Sequence, residues 1–431
     1  MISSRYAAYK IIYGVKYKGE KSSRLIDSCI RNYDFSGEDA VFLTGLAYGC
    51  LSRLYYLDYL IKNLSKLPFR KISKKTLTVL ELSLFQIYFY DSVPSYAVVD
   101  EAAKIIKKED ARAKNFVNAV LRKSAKEKIE LDYSKMDQVQ KFKIKYNISE
   151  PIAKRLLKNY GETFTEELLQ SMYEKPKVYL RVNQTLISLK DFTEKLNTQK
   201  IDYEIMDGKN YMLSLDSLRN LADNEFFKQG LFSLQDKSAA ECVDILDPKE
   251  GEHILDCCAA PGGKSMYILE KTLDMAKLVS TDISGQRLED IYAQKKRLKL
   301  KNIKIEKSDS AVYNAEYFEK FDRVLCDVPC SGIGVIRRKP EIRYKDLSDM
   351  EELNKLQLAI LQNGAKYTKK GGVICYSTCT LGREENQDII QKFMNKNKGF
   401  EIISEKEFYP HIDEGDGFFV CKLRKNSQDV V

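Results

Sequence analysis

The sequence DCCAAPGGKS, residues 256–265, follows the apolar pair Ile254-Leu255 and precedes the apolar segment 266–269. This order predicts a β-strand, a tight glycine-rich turn and an α-helix. Gly262 and Gly263 permit a positive φ and a close approach of the backbone to a ligand. Such a turn directs backbone N–H groups and a helix N-terminus toward a ligand at the carboxyl edge of a sheet.

Three interpretations of this turn compete. It is an ordinary strand-to-helix connection, the end of a phosphate-binding P-loop, or the binding site of a cofactor with an adenosine half. The P-loop motif needs a glycine five positions before Gly263, and this chain has Cys258 there. The residues further along the chain favour the cofactor interpretation.

The chain has 431 residues and a hydrophobic content of 44%, which suits about two to four domains. No apolar run approaches the roughly 18 residues of a membrane span. The N-terminal sequence MISSRYAAYK lacks the apolar core of a signal peptide. We therefore expect a cytoplasmic protein whose ten cysteines are reduced thiols.

The net charge of +9 favours a polyanionic partner. The chain has only two histidines, His253 and His411, too few for most histidine-dependent triads or histidine-rich metal sites. We therefore expect catalysis to depend on Cys, Asp and Lys side chains.

Residues 1–128 are predicted to form a helical bundle, because proline is sparse and apolar residues recur every three or four positions. Residues 42–64 carry one long apolar stripe, and Ser36 with Asp39 predicts a capping box that opens this helix. Ser95 is the predicted N-cap of a later helix. The basic residues of the bundle indicate either a solvated surface or an RNA-binding patch.

Two strings in this region, PSYAVVDEA at 94–102 and FVNAVLR at 116–122, resemble the RNA-binding helical bundle of the NusB family. The resemblance implies that residues 1–128 form an all-α, NusB-like RNA-binding domain.

Residues 129–235 mix helical and strand patterns, and we interpret them as a small α+β linker and RNA-binding domain. Residues 178–183 alternate like a strand, on which Arg181 and Asn183 are more often structural than ligand contacts. Residues 226–235 are predicted to be a strand, a turn and a second strand.

Strands and helices alternate through residues 236–425, which predicts an α/β domain with a parallel sheet and helices on both faces. Ligands of such sheets bind beyond the carboxyl ends of the strands. Residues 426–431 are predicted to be a disordered tail. The predicted strands are 253–257, 278–283, 303–307, 323–327 and 373–377, with a late strand at 418–423.

The predicted strands end in polar or reactive residues. Asp282, 18 residues after Lys264, is placed to accept the ribose hydroxyls of an adenosine cofactor. Asp309 follows the third strand and is placed to reach the adenine edge. The fourth strand ends in residues 326–332 (CDVPCSG), and the fifth ends in residues 376–380 (YSTCT).

Cys326 with Cys330, and Cys375 with Cys379, have Cys-x-x-x-Cys spacing, which suggests zinc. However, alternation along a strand points Cys326 and Cys375 into the packing of the sheet. Only Cys330 and Cys379 then remain at the rim, and we predict no metal site.

Two rim thiols beside an adenosine cofactor suggest a methyl transfer to cytosine. Addition of a thiolate to carbon 6 makes carbon 5 enamine-like and able to accept a methyl group from a sulfonium. A base must then remove the carbon-5 proton so that the thiol can leave. Arg337, Arg338 and Lys339 could supply the positive field that ionises a thiol, or could hold phosphates. Transfer to an amine nitrogen would favour an Asp/Asn-Pro-Pro-aromatic stretch, which residues 327–330 are not.

Three motifs, DCCAAPGGKS at 256–265, DVPCSGIGVIRRKPEIRY at 327–344 and CYSTCT at 375–380, resemble the signature motifs of the RNA cytosine-C5 methyltransferases. Together with the helical head and FKQGLFSLQD at 227–236, the resemblance covers essentially the whole chain. It implies a multidomain protein whose C-terminal domain is a Rossmann-like, S-adenosylmethionine-dependent methyltransferase. Cys257 and Ser265 depart from the usual motif, in which a single Cys and a Thr are frequent.

By this resemblance Cys379 is the nucleophile, Cys330 helps to resolve the covalent adduct, and Asp327 contacts the cytosine ring. The implied product is 5-methylcytosine in 16S ribosomal RNA, made by a monomer on a single-stranded or extruded base. The residues implied to border S-adenosylmethionine are Cys258, Ala259, Ala260, Pro261, Gly262, Gly263, Lys264, Asp282, Asp309 and Asp327.

Two alternatives remain open. The substrate could be transfer RNA, or the chain could be an RNA-binding or antitermination factor with an inactive methyltransferase core. The residues alone also leave open whether Cys330 or Cys379 attacks, because both are placed at the rim.

Overall fold

The computed structural model describes residues 2–209, 211–216 and 224–427. The chain forms two compact units: Met1–Gly161 with Ile336–Leu347, and Glu162–Val335 with Ser348–Val431. We call them the helical unit and the sheet unit. The predicted domain boundaries after residues 128 and 235 stay predictions, and residues 428–431 of the predicted tail lie outside the described residues.

The helical unit has an apolar core to which its helices contribute leucine, isoleucine and alanine side chains. Ser3, Ser73 and Ser149 cap helices by accepting a backbone N–H with their side chains. The helices are α1 (Ser4–Lys18), α2 (Ser22–Tyr33), α3 (Gly37–Leu51), α4 (Leu54–Leu64), α5 (Lys74–Phe89), α6 (Ser95–Glu109), α7 (Lys114–Lys126), α8 (Gln138–Lys145) and α9 (Glu150–Tyr160).

The predicted single helix over residues 42–64 is wrong, because α3 ends at Leu51 and α4 begins at Leu54. The hydroxyl of Tyr344 donates to the Leu51 carbonyl at 2.7 Å and accepts the Leu54 N–H at 2.9 Å. A side chain from far along the chain thus satisfies backbone groups at the break.

Two predicted caps also differ from the structure. Ser36 is the N-cap of α3, but Asp39 accepts a hydrogen bond from Ser4 instead of completing a capping box. Ser95 is the first residue of α6 and Pro94 is its N-cap, because the Pro94 carbonyl accepts the N–H groups of Ala97 and Val98.

The segment Ile336–Leu347 folds as part of the helical unit. Glu341 accepts the hydroxyl of Ser22 at 2.7 Å, at the start of α2. Arg343 is buried and donates to the Tyr146 carbonyl at 2.8 Å. The basic residues 337–339 therefore lie on a segment that is tied to the helices.

The sheet unit begins with a small antiparallel sheet of strand order β2-β3-β1-β4. The predicted strand at 178–183 is confirmed as β1. The predicted first strand at 226–235 is wrong, because Asn224 caps a short helix by accepting the Phe227 N–H. The elements are α10 (Glu162–Ser171), β1 (Val178–Val182), α11 (Leu189–Thr198), β2 (Glu204–Ile205), β3 (Met212–Leu215), α12 (Glu225–Lys228) and β4 (Phe232–Leu234).

A seven-stranded sheet follows, with strand order β10-β11-β9-β8-β5-β6-β7. Strands β5 to β9 are parallel, whereas β10 and β11 are antiparallel additions. The elements are α13 (Lys237–Leu246), β5 (His253–Asp256), α14 (Gly263–Lys271), β6 (Lys277–Asp282), α15 (Gly285–Leu298), β7 (Ile303–Lys307), β8 (Phe321–Asp327), α16 (Met350–Tyr367), β9 (Thr368–Thr378), α17 (Gln387–Lys396), β10 (Phe400–Phe408), α18 (Pro410–Asp413) and β11 (Phe418–Lys425).

Two apolar clusters cover the two faces of this sheet. Ile254 packs in the cluster that includes α13, α14 and α15, and Leu255 packs in the cluster that includes α16 and α17. Since successive strand residues point to opposite faces, the predicted α/β architecture is confirmed. In the part of the chain that the structure describes, every helix is too short or too polar to cross a membrane.

Candidate active site

The glycine-rich turn joins the end of β5 to the start of α14. Gly262 has φ 103°, and its N–H donates to the Ala259 carbonyl at 2.7 Å. A Cβ at Gly262 would also lie 3.4 Å from the backbone of Ile291. Glycine is therefore needed here for the backbone conformation, while a Cβ would make only ordinary contact with Ile291.

Asp256, at the end of β5, is buried below this turn. Its Oδ2 accepts the Ser265 hydroxyl at 2.6 Å, and its Oδ1 has no hydrogen-bond partner among the described residues. Burial raises the pKa of Asp256 to about 7. The carboxyl group thus holds the first turn of α14 against the strand that precedes it.

Asp282 ends β6 beside the glycine-rich turn. Its two oxygens accept the N–H of Ala260 at 3.2 Å and the N–H of Ser284 at 3.0 Å. Asp309, beyond β7, is exposed and accepts the Ala311 N–H at 3.0 Å. Both aspartates thus follow the carboxyl ends of neighbouring parallel strands.

A buried arginine supports the turn from the small sheet. Arg181 on β1 makes a bidentate ion pair with Glu270 of α14, at 2.8 and 2.9 Å, and donates to the Gly263 carbonyl at 3.1 Å. These contacts agree with the structural role predicted for Arg181. Sequence reasoning missed Glu270, since a glutamate on a helix gives no local sign that it is buried.

Lys264 connects the turn to the end of β8. Its Nζ lies 2.7 Å from Asp327 Oδ2, while Asp327 Oδ1 accepts the Ser377 hydroxyl at 2.9 Å. Burial is the largest single influence and acts to lower the pKa of Lys264, but the charge and hydrogen bond of Asp327, together with the Cys242 and Cys379 thiols, raise it overall. The glycine-rich turn and the two thiol-bearing strand ends are thus joined by one chain of polar contacts.

The two predicted rim thiols lie together. Cys330 follows β8 and Cys379 follows β9, and their Sγ atoms are 3.3 Å apart without a disulfide. The hydrogen bond with Cys379, followed by burial, raises the pKa of Cys330 well above its ordinary value. Cys326 and Cys375 are fully buried, as the alternation of the strands predicted.

Family models match three successive parts of this chain. They are the 16S rRNA methyltransferase RsmB/F at residues 243–424, the NusB family at 2–126, and the ferredoxin-like domain of RsmF/B-like methyltransferases at 151–220. The probable ribosomal RNA small subunit methyltransferase B of Bacillus subtilis is 32% identical and covers 98% of this chain and 99% of its own length. The chain belongs to the 16S rRNA methyltransferase RsmB/F family.

Further relatives agree with this RsmB/F membership. The ribosomal RNA small subunit methyltransferase B of Serratia proteamaculans is 30% identical over 95% of both chains. A crystal structure of a methyltransferase homolog protein from Pyrococcus horikoshii is 26% identical, with a TM-score of 0.60 over 67% of this chain and 98% of its own. Another solved structure has a TM-score of 0.85 over 99% of both chains, but at 22% identity it shows the fold alone.

The match to the NusB family confirms the resemblance seen in the helical strings at 94–102 and 116–122. The three methyltransferase motifs all lie within the matched RsmB/F range, 243–424. Among residues 2–209, 211–216 and 224–427, no group of three or more His, Cys, Asp or Glu side chains is arranged to hold a metal ion.

The turn of this RsmB/F chain fits a cofactor with an adenosine half. Asp282 Oδ1 accepts the Ser284 N–H, and Oδ2 accepts the Ala260 N–H and lies 3.5 Å from the Arg287 guanidinium. A carboxylate oxygen can accept further hydrogen bonds from ribose hydroxyls. At Gly263, an added Cβ would meet only the Gln235 side chain, at 3.9 Å. The start of α14 is therefore open to close approach by a ligand.

Proposed function

We propose that this chain transfers a methyl group from S-adenosylmethionine to carbon 5 of a cytosine in 16S ribosomal RNA, through a covalent cysteine–RNA adduct. The observation that carries the proposal is the pair of thiols, Cys330 and Cys379, 3.3 Å apart at the ends of neighbouring parallel strands. One thiol suffices to attack the base, and a second at this distance can act on the resulting adduct.

The cofactor is assigned to the glycine-rich turn and the neighbouring strand ends. Asp282 would accept the ribose hydroxyls, and Asp309 would lie toward the adenine edge. When bound, S-adenosylmethionine supplies the methyl group on a positively charged sulfur. The residues proposed to border it are Cys258, Ala259, Ala260, Pro261, Gly262, Gly263, Lys264, Asp282, Asp309 and Asp327.

Cys379 is proposed to attack carbon 6 of the cytosine as a thiolate. A charge on Cys379 is among the causes that raise the pKa of Lys264, and by the same interaction the ammonium group favours the thiolate. Asp327, held by Lys264 and Ser377, would accept a hydrogen bond from the exocyclic amino group of the cytosine. These contacts orient the ring with carbon 6 toward Cys379.

Cys330 is proposed to resolve the adduct. After carbon 5 has gained the methyl group, its proton must leave so that the bond between carbon 6 and the sulfur of Cys379 can break. Cys330 would act at this proton as a base.

Three observations support ribosomal RNA as the substrate. The curated relatives named above are small-subunit ribosomal RNA methyltransferases that cover nearly the whole chain. The helical unit matches the NusB family, and the net charge of +9 suits a polyanion. A target base within a helix would have to be extruded to reach the thiols.

The test compares wild type, Cys330→Ala and Cys379→Ala on unmodified 16S ribosomal RNA with S-adenosylmethionine, by denaturing gel. We expect a denaturant-resistant protein–RNA adduct with Cys330→Ala and none with Cys379→Ala. Cys29→Ala, which removes a half-buried thiol from the helical unit, should behave like wild type.

The reverse pattern would exchange the roles of the two thiols and keep the chemistry. Methyl transfer to transfer RNA in place of 16S ribosomal RNA would contradict the proposed substrate. Cofactor binding without adduct or methyl transfer on either RNA would favour an RNA-binding protein with an inactive core.

A further inference from the structure

The residues that directly follow the two thiols are bonded to each other. Ser331 follows Cys330 and Thr380 follows Cys379, and their hydroxyl oxygens are 2.7 Å apart. Thr380 Oγ1 also accepts the N–H of Ile333 at 3.2 Å, and the Cys379 carbonyl accepts the N–H of Gly334 at 3.2 Å. The loop after β8 is therefore bonded at several points to the loop after β9.

A buried carboxylate completes these contacts. Glu385 accepts the Ser331 hydroxyl at 2.5 Å with Oε1, and the Ser331 N–H at 2.7 Å with Oε2. Gln357 of α16 donates to the same Oε2 at 3.0 Å and to the Pro329 carbonyl at 2.9 Å. Glu385 and Thr380 are fully buried, so water does not compete for these bonds.

The hydrogen bonds among these groups have one consistent direction. The Glu385 carboxylate is an acceptor, so the Ser331 hydroxyl donates to it. The Thr380 hydroxyl then donates to Ser331 Oγ and accepts the Ile333 N–H. We call Ser331, Thr380 and Glu385 the thiol clamp. Loss of the Thr380 hydroxyl would remove its bonds to Ser331 and Ile333, while the bonds from Ser331 to Glu385 and from Gly334 to the Cys379 carbonyl would remain.

We propose that the thiol clamp positions the thiols of Cys330 and Cys379 relative to each other, and thereby sets the rate at which the adduct is formed and resolved. The spacing of the thiols is a property of the folded chain. Its consequence for turnover rests on the proposed function. Two independent measurements therefore separate a failure of the clamp from a failure of the proposed function.

Thr380 offers a matched pair of variants. Thr380→Val keeps the shape of the side chain and removes the hydroxyl, whereas Thr380→Ser keeps the hydroxyl and removes the methyl group. Thermal unfolding and S-adenosylmethionine binding are measured first, and the rates are compared when both variants match wild type in these two properties. Ser331→Ala replaces Thr380→Val if the valine variant does not fold.

The first measurement needs neither RNA nor cofactor. One thiolate attacks oxidised glutathione, forming a mixed disulfide and releasing one glutathione thiolate. The second cysteine then attacks the mixed disulfide as a thiolate, forming the Cys330–Cys379 disulfide and releasing the second glutathione thiolate. The rate of this closure, followed by mass spectrometry of the peptides, reports the spacing directly. We expect it to be about tenfold slower in Thr380→Val and unchanged in Thr380→Ser.

The second measurement is methyl transfer to 16S ribosomal RNA. We expect kcat to fall by about 10- to 100-fold in Thr380→Val, with KM for RNA unchanged, because misplaced reacting groups slow the chemical steps. Thr380→Ser should restore kcat. The proposal would be overturned if Thr380→Val closed the disulfide at the wild-type rate and had the wild-type kcat. It would also be overturned if Thr380→Val and Thr380→Ser lost closure rate and kcat equally. If wild type transfers no methyl group to RNA, disulfide closure still decides whether the clamp sets the spacing.

Discussion

The sheet unit contains two pairs of thiols within hydrogen-bonding distance of each other. One pair includes Cys326 on β8, and the other includes Cys330, which follows β8. The Sγ atoms of Cys257 and Cys326 are 3.9 Å apart, and those of Cys330 and Cys379 are 3.3 Å apart. We call them the core pair and the rim pair. In each pair a hydrogen bond to the partner thiol is the largest cause of a raised pKa, at Cys257 and at Cys330.

The surroundings of the two pairs differ. The core pair is buried in the apolar cluster that includes α16 and α17. The rim pair is half-buried at the carboxyl ends of two parallel strands, beside Lys264 and Asp327. Proximity of two thiols and a raised pKa are therefore common to structural and reactive cysteines, whereas position at the strand ends beside a lysine distinguishes the rim pair.

Removal of one thiol from each pair should have opposite effects. We expect Cys379→Ala to lower methyl transfer by roughly a thousandfold or more, with little change in stability, because the proposed nucleophile is lost. Cys326→Ala should lower the free energy of unfolding by about 1 kcal/mol and leave kcat within about twofold, because only packing and the hydrogen bond to Cys257 in the sheet core are lost. Urea unfolding and single-turnover assays measure the two quantities. A large loss of kcat in Cys326→Ala, measured where the variant is fully folded, would contradict the distinction between the two pairs.

Much of this comparison could be predicted from the sequence. Alternation along β8 and β9 placed Cys326 in the core and Cys330 at the rim, and the motifs marked Lys264 and Asp327. Local patterns suffice here because the strands are short and regular and end in reactive residues.

Features that depend on distant partners could not be predicted. The break between α3 and α4 involves Tyr344, 290 residues from Leu54. The thiol clamp needs Glu385, whose sequence neighbourhood gives no sign that it is buried. The edge strand β10 was missed because most of its residues are exposed and several are charged, so it has no apolar stripe.

Asp256, the buried residue directly before Cys257 of the core pair, also titrates. Burial raises its pKa from the ordinary value of 3.8 to about 7. The folded state therefore binds its proton more tightly than the unfolded state. This contribution to stability is fully present below pH 3.8 and is lost as the pH rises through about 7.

Asp256→Asn should remove this dependence, because asparagine keeps the shape and does not titrate. We expect the decrease in unfolding free energy between about pH 4 and pH 7 to be smaller in the variant by on the order of 3 kcal/mol. Denaturant unfolding across this range measures it. Asp244→Asn is the control, because the pKa of Asp244 is lowered and its contribution to stability changes in the opposite direction with pH. Parallel curves for wild type and Asp256→Asn would show that Asp256 is ionised in the folded protein throughout.

Lys264→Met tests the electrostatic difference between the pairs. The variant removes the ammonium group that interacts with Cys379 and leaves the Asp327 carboxylate, whose charge helps to raise the pKa of Cys330, without its ammonium partner. Both changes disfavour a thiolate, so we expect alkylation of the rim pair by iodoacetamide at pH 7 to slow by about tenfold, the effect of one pKa unit. The pH at which the alkylation rate is half-maximal should rise by about one unit. Lys271→Met removes the same charge from the other end of α14, where Lys271 pairs with Asp244, and should alkylate like wild type. An equal loss in both variants would mean that the general charge of the unit, and not the position of Lys264, makes the rim thiols reactive.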